Sequence, residues 1–199
     1  MPDAVKNKPH MLLHCCCAPC ASSVLETLLP EYRISLLFYN PNIEPVEEYN
    51  KRKAEVFELV KKMTAFQQVE NSLHDTFSVD IITIGYDNDL FQSAVLSLRN
   101  EPEGGERCRV CFELRLKKTA QEALAGEYDI FATTLSVSPH KDANILNEIG
   151  KRLSDEYSVP YLPADFKTND GFRRSVELSK RYNLYRQRYC GCVNTIYGG

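Results

Sequence analysis

The chain has 199 residues, of which 43% are hydrophobic and 26% are charged, and its formal net charge at pH 7 is −3. This length suits one α/β-sized domain rather than two, and the acidic balance is unlike that of proteins that bind nucleic acid over their whole surface. Residues 1–9 lack the apolar stretch of a secretory signal, and no apolar run approaches the ~20 residues that cross a bilayer. We therefore expect a cytoplasmic protein without a membrane partner, with residues 1–9 flexible.

Short apolar runs and longer segments of helical periodicity alternate along the chain. Pro19 suits a helix start, Gly126 suits a helix end, and 101–105 is a turn-rich break. After the last helix, residues 183–199 are expected to form a loop that carries a cysteine pair. In chain order the predicted strands are 10–15, 34–39, 79–86, 128–133 and 160–162, and the predicted helices are 21–29, 46–63, 89–99, 107–125, 142–157 and 171–182.

This alternation predicts one α/β domain over 1–199, a three-layer Rossmann-like fold with a mostly parallel sheet. Ligands of such sheets bind outside the carboxyl ends of the strands. A cysteine group follows the first predicted strand, and 133–141 follows the fourth. We therefore expect a metal site at the carboxyl ends of the strands.

Seven of the eight cysteines fall into three groups with spacings typical of metal binding. The first group precedes a helix, whose N-terminus stabilises thiolates, and the second has the i, i+3 spacing that puts two sulfurs on one helix face. In a reducing compartment such groups indicate metal ligation or redox chemistry rather than disulfides. Cys15 is better explained as a core residue. The groups are Cys16, Cys17 and Cys20; Cys108 and Cys111; and Cys190 and Cys192.

A [4Fe–4S] cluster takes four thiolates, and so does a closed zinc site. Zinc modules usually bring their cysteine pairs together in small units, which favours iron–sulfur here, although the count leaves two zinc sites open. We assign the cluster to Cys17, Cys20, Cys108 and Cys111. The remaining sulfurs, which would bind a second iron or act as redox thiols, are Cys16, Cys190 and Cys192.

Five sequence blocks together resemble the QueH family of epoxyqueuosine reductases and cover almost the entire chain. The resemblance implies a cobalamin-independent enzyme that reduces the epoxide of epoxyqueuosine in the wobble nucleotide of tRNA to give queuosine. It also implies a [4Fe–4S] cluster with a neighbouring metal ion, expected to be iron. The family pattern C-C-x-x-C matches Cys16, Cys17 and Cys20, so Cys15 is an extra cysteine. The blocks are LLHCCCAPC at 12–20, FYNPNIEPVEEYNKR at 38–52, ERCRVCFELRL at 106–116, FATTLSVSPHKD at 131–142 and DGFRRSVELSKRYNLYRQRYCGC at 170–192.

Removal of an epoxide oxygen needs a proton donor, and the candidates are His14 and Asp170, with His140 a weaker one. Asp170 is alternatively an oxygen ligand to iron or a helix N-cap. The partners expected are tRNA that carries epoxyqueuosine and an unidentified electron donor.

A basic segment with interleaved tyrosines precedes the last cysteine pair and predicts a local RNA patch, or else a solvated helix face. Its candidate contacts are Arg173, Arg174, Lys180, Arg186 and Arg188. Asn-Pro-Asn after the second strand suits hydrogen bonds to the substrate's diol, or simply a turn. The candidates there are Tyr39, Asn40 and Asn42, and Thr133, Thr134 and Ser138 have the same ambiguity.

Rival functions differ in the motif or metal that they need. An ATP-pyrophosphatase-type thiolase needs an SGGxDS loop where this chain has HCCCAPC, and a radical S-adenosylmethionine enzyme needs C-x-x-x-C-x-x-C, which is absent. A zinc-stabilised RNA-binding module without catalysis and a metal-free thiol–disulfide oxidoreductase remain alternatives.

Overall fold

A computed structural model describes residues 8–70 and 78–192 of the chain. Residues 1–7 of the segment expected to be flexible, and residues 193–199 of the expected C-terminal loop, lie outside the described residues. Within the described part no helix is both long enough and apolar enough to cross a bilayer.

Four parallel strands form one sheet in the order β3-β2-β1-β4. His14, the last residue of β1, pairs with Leu37 on one side and Thr133 on the other. The parallel sheet confirms the predicted fold class. The strands are β1 (His10–His14), β2 (Arg33–Phe38), β3 (Asp80–Thr83) and β4 (Ile130–Thr133).

Helices occupy both faces of the sheet because successive strand residues point to opposite sides. Met11, Leu13 and Leu36 belong to one buried cluster, whereas Leu12 and Leu37 belong to another. The first cluster is covered by α1, α2 and α6, and the second by α4 and α5. The helices are α1 (Ala18–Leu28), α2 (Val46–Glu70), α3 (Asn88–Ala94), α4 (Glu106–Ala125), α5 (Ala143–Tyr157) and α6 (Gly171–Arg181), with 3₁₀ turns at Leu96–Leu98 and Leu135–Val137.

The segment predicted as a fifth strand forms only one parallel bridge, between Tyr161 and Phe131. The Phe131 amide donates to the Pro160 carbonyl, and the Leu162 amide donates to the Phe131 carbonyl, both at 2.9 Å. Pro160 and Pro163 have no N–H with which to extend the ladder, so pairing ends there. The predicted helix 89–99 is likewise shorter, since α3 ends at Ala94 and a 3₁₀ turn follows.

The chain segments that follow β1 and β4 lie side by side at the carboxyl edge of the sheet. The Thr134 amide donates to the His14 carbonyl at 2.9 Å, and the Cys16 amide donates to Thr134 Oγ1 at 3.3 Å. Because β1 and β4 are neighbours and parallel, their outgoing loops share one edge, as the sequence predicts.

Candidate metal centre

Three cysteine sulfurs converge at the start of α1. The Sγ atoms of Cys16, Cys17 and Cys20 all lie within 4.8 Å of one another, and those of Cys16 and Cys17 are 3.7 Å apart. Cys17 is the helix N-cap with extended backbone, and Pro19 occupies the first turn, where its missing N–H costs nothing. The turn from strand to helix therefore presents three soft ligands to one point.

Negative charge in this group concentrates on Cys16. Hydrogen bonds from the Cys17 and Cys20 thiols, together with the charge of Lys141, lower the pKa of Cys16. The same hydrogen bond to Cys16 raises the pKa of Cys17 to about 12, and the pKa of Cys20 is also raised. One thiolate held by two thiols attracts a cation, which would displace the remaining protons.

A second set of sulfurs lines one cavity beside α4. Cys108 and Cys111 lie on α4, one turn apart, and Cys190 and Cys192 come from the loop that follows α6. The Gly104 amide donates to Cys108 Sγ at 3.2 Å. Phe91 and Val95 pack against this set and form its apolar cover.

The loop that carries the last cysteine pair is fixed by residues of the α2 region. Arg52 is buried and donates to the carbonyl oxygens of Cys190 at 3.1 Å and Tyr189 at 3.2 Å. The Glu44 amide donates to the Gly191 carbonyl at 2.8 Å. These bonds fix backbone 189–191 beside α2 and the segment between β2 and α2, and so constrain the two cysteines.

Cationic side chains stand between the two sulfur sets. Lys141 and Arg115 line the cavity of the α4 set and also an adjoining cavity that contains Cys16 and Cys20. Burial lowers the pKa of Lys141, but the facing sulfurs of Cys16 and Cys20 raise it, and the net direction is upward. A fixed positive charge therefore separates two groups that bear negative charge as thiolates.

The structure thus groups the seven sulfurs differently from the partition expected from sequence. Cys17 and Cys20 are close to Cys16, and Cys108 and Cys111 share a cavity with Cys190 and Cys192. The expected division between cluster and second metal stays a prediction. Cys15 is wholly buried in the apolar core, which agrees with its having no assigned role.

His14 is enclosed rather than open to a substrate. It is 0% exposed, and its ring nitrogens contact Thr133 Oγ1 at 2.9 Å and the Tyr39 carbonyl at 3.1 Å. Burial, with a contribution from the charge of Arg115, lowers the pKa of His14 to about 4. The imidazole is therefore neutral at pH 7 and ties the end of β1 to β4 and to the residue that follows β2, and its predicted role as proton donor stays a prediction.

Asp170 precedes α6 on an exposed part of the surface. Its side chain is 66% exposed and accepts from Arg173 at 2.7 Å. Its backbone is left-handed and its carboxylate does not cap the helix. Arg174 forms two hydrogen bonds to Glu26 at 2.7 Å, which fastens α6 to α1. The predicted roles of Asp170, Arg173 and Arg174 in catalysis and RNA binding stay predictions.

The polar residues after β2 are buried and bonded to the chain itself. The Asn40 amide group donates to the Cys15 carbonyl at 2.9 Å, and that of Asn42 contacts the Cys190 carbonyl at 3.5 Å. The Tyr39 ring is 4% exposed. Asn42 also lines the cavity of the α4 sulfur set, so this segment supports the cysteines, and its role toward substrate stays a prediction.

The end of the basic segment lies nearest to the sulfurs. Arg186 and Arg188 are exposed and line the adjoining cavity together with Cys16, Cys20 and Cys190. Lys180 is exposed on α6. Of the predicted RNA contacts, Arg186 and Arg188 are thus the ones placed beside cysteines.

Sequence reasoning missed three residues that shape this centre: Arg52, Arg115 and Lys141. Arg115 had a detectable signal, because it follows Cys111 by four residues and must lie on the same helix face. Lys141 lies in the loop after β4, where ligands were expected. For Arg52 no local signal exists, since its partners are 137 and 138 residues away.

Comparison with known proteins gives one consistent family. The family model described as "Epoxyqueuosine reductase QueH" matches residues 11–197. A protein of that name from Streptococcus pyogenes serotype M1 is 42% identical over 186 residues, covering 94% of this chain and 70% of that protein. Relatives of the same name from Staphylococcus epidermidis and Thermotoga maritima are 42% and 34% identical, covering 94% of this chain and 76% and 90% of their own lengths.

Proposed function

Because the chain belongs to the epoxyqueuosine reductase QueH family, we propose that it removes the epoxide oxygen of epoxyqueuosine at the tRNA wobble position and yields queuosine. The observation that supports this most strongly is the gathering of seven cysteines, from three distant segments, at the carboxyl edge of the sheet. The reaction takes two electrons and two protons, breaks the two C–O bonds of the epoxide, forms a C=C bond and releases water.

The donor set suits an iron–sulfur group. The eight cysteines are thiols, and thiolate sulfur is the ligand that iron–sulfur clusters use. The N–H groups of Gly104 and Arg115 already point at Cys108 and Cys111 sulfurs, as donors around clusters do. We propose that the seven sulfurs hold a [4Fe–4S] cluster and a second iron. When bound, these would supply electrons one at a time and a Lewis acid for the epoxide oxygen.

Two divisions of the sulfurs compete, and one variant separates them. In the division expected from sequence, Cys190 binds the second iron, so Cys190→Ser would keep a complete [4Fe–4S] signal in Mössbauer spectra and lose one iron. If the four sulfurs that share a cavity hold the cluster, the same variant would lose the cluster signal. Cys20→Ser is the matched variant. If the four sulfurs that share a cavity hold the cluster, Cys20→Ser should keep the cluster signal and lose the second iron.

Residues of the adjoining cavity would receive the wobble nucleotide. Arg186 and Arg188 line this cavity and would contact RNA phosphates, and the rings of Tyr189 and Phe172, which line the same cavity, would stack on bases. Lys141 contributes an N–H donor to this cavity, beside Cys16 and Cys20. The expected location is cytoplasmic, where tRNA is modified and thiols stay reduced.

The decisive experiment is anaerobic turnover of defined tRNA. Purified protein, reconstituted with iron and sulfide, is incubated with dithionite and tRNA that contains epoxyqueuosine, and the digested nucleosides are weighed. We expect the modified nucleoside to lose the mass of one oxygen, and Cys108→Ala to abolish this loss. Lys61→Met, which changes an exposed side chain and leaves every cysteine in place, is the control for the handling of variants.

Two results would contradict the proposal. If iron-loaded protein leaves epoxyqueuosine unchanged with several low-potential electron donors, the proposed reductase activity is wrong. Metal analysis that finds zinc and no iron after anaerobic purification would favour the RNA-binding module instead.

A further inference from the structure

Arg115 makes two hydrogen bonds to one cysteine of the metal centre. Its Nη2 donates to Cys111 Sγ at 3.1 Å, and its Nε donates to the Cys111 carbonyl at 3.1 Å. The residue is 3% exposed. We infer that Arg115 is a positioning residue that raises the reduction potential of the metal group held by Cys111, an inference that rests on the proposed function.

Helix geometry explains why this residue reaches that sulfur. Helical side chains lean toward the N-terminus of the helix, so the side chain at i+4 lies over residue i. Arg115 follows Cys111 by four residues on α4, and its planar guanidinium spans the distance between the carbonyl and the sulfur of the same residue. Lysine at this position would carry the charge without the two-point contact.

Because Arg115 is buried, its positive charge acts on the neighbouring Cys111 sulfur with little screening by water. A guanidinium stays protonated at every accessible pH, and charges away from water are poorly screened. Arg109 provides the contrast on the same helix: it lies between Cys108 and Cys111 in sequence, but it is 38% exposed and paired with Glu148 at 2.5 Å. Its charge faces water and an acid rather than sulfur.

The sign of the effect follows from the charge of the reduced state. Reduction adds one negative charge to a cluster and its thiolates, and N–H donors to the sulfurs stabilise that state more than the oxidised one. The bond from Arg115 therefore favours reduction. Its removal is expected to lower the equilibrium constant for reduction about tenfold, which corresponds to about 59 mV for a one-electron couple.

The test is a redox titration of cluster-loaded protein, followed by electron paramagnetic resonance, with dithionite as the reductant. Arg115→Met removes both donors and the charge but keeps an aliphatic stem, Arg115→Lys keeps the charge, and Arg109→Gln is the matched control. We expect the potential to fall in Arg115→Met, to fall less in Arg115→Lys, and to stay at the wild-type value in Arg109→Gln.

Each alternative result has a distinct meaning. An unchanged potential in Arg115→Lys and Arg115→Met, with the cluster bound, would overturn the inference while leaving the proposed function intact. A raised KM for tRNA with an unchanged potential would also overturn it, because Arg115 would then be a substrate contact through the adjoining cavity. If Arg115→Met does not bind the cluster, Arg115→Lys decides alone. Wild-type protein that binds no cluster would refute the proposed function itself.

Discussion

The hydrogen bonds of the buried His14 ring are expected to contribute to the stability of the fold. Its ring nitrogens satisfy Thr133 Oγ1 and the Tyr39 carbonyl in a fully buried position. We expect His14→Ala to lower the free energy of unfolding by about 1–3 kcal/mol, because the buried Tyr39 carbonyl would lose this partner, whereas Thr133 Oγ1 would keep its bond from the Leu135 amide. Urea unfolding of the metal-free protein measures this, with exposed His140→Ala as the control. Loss of turnover without loss of stability would instead support the proton-donor role predicted from sequence.

Gly191 occupies a conformation and a space that exclude other residues. Its φ is +116°, and a Cβ there would lie 2.7 Å from Ile43 Cγ1 and 3.2 Å from Asn42 Nδ2. We expect Gly191→Ala to cost about 1–3 kcal/mol and to displace the flanking Cys190 and Cys192, with reduced iron content after reconstitution. Gly85→Ala, where nothing lies within 4 Å, is the control. Full iron binding by Gly191→Ala would contradict the prediction.

At the scale of elements, one ion pair joins α1 to α6. Glu26 accepts two hydrogen bonds from Arg174, and these bonds lower the pKa of Glu26. A carboxyl group whose pKa is lower in the folded state stabilises the fold at pH values above its ordinary pKa of 4.5. This contribution is lost as the pH falls through the lowered pKa of the folded state.

We therefore expect Glu26→Gln to lower the free energy of unfolding by about 0.5–1 kcal/mol at pH 7, since the pair is partly exposed. The difference from wild type should shrink in acid and in high salt. Denaturant titrations at pH 7 and pH 3.5 measure it, with exposed Glu58→Gln as the control. A difference that persists unchanged at pH 3.5 would show that packing, rather than charge, is responsible.

The elements themselves were largely predictable, because their signals are local. Alternating apolar runs, Pro19 and Gly126 place the strands and most helix bounds within a few residues. The predicted fifth strand is reduced to one bridge, because the apolar character of a run does not reveal whether its amides can pair. Pro160 and Pro163 lack the N–H groups that a longer pairing would need. α3 ends at Ala94, and Phe91 and Val95 near that end pack on the cysteine set, a contact that leaves no local signal in the sequence.

At the scale of the whole molecule, a protein with a net negative charge is expected to bind tRNA, a polyanion, through a local basic region. Arg188 lines the cavity beside the cysteines, whereas Arg174, a candidate of equal rank in the sequence, is committed to Glu26. We expect Arg188→Gln to weaken tRNA binding and to reduce the slope of log K against log salt by about 1. Arg174→Gln should leave the slope unchanged. Equal slopes for both variants would place the RNA elsewhere on the surface.

The sequence indicated which cysteines belong to the candidate centre, but not which of their sulfurs are neighbours. Grouping along the chain singled out the seven cysteines, and the strand position of Cys15 together with the family pattern C-C-x-x-C set that residue apart. Which sulfurs become neighbours depends on contacts such as that of Arg52 with Cys190, which join segments 138 residues apart. Long-range contacts of this kind leave no periodic trace in a sequence, so the division of ligands had no local signal.

The anchoring of the last cysteine pair by Arg52 also bears on how the protein matures. A chain that is still unfolded offers its cysteines only as separate pairs and triplets, and the complete pocket exists once residues 52 and 190 have met. A metal that binds only to the finished fold shifts the folding equilibrium by mass action. For the iron proposed above, starvation would then lower the melting temperature of the protein and speed its proteolysis, and its cellular abundance would follow the iron supply.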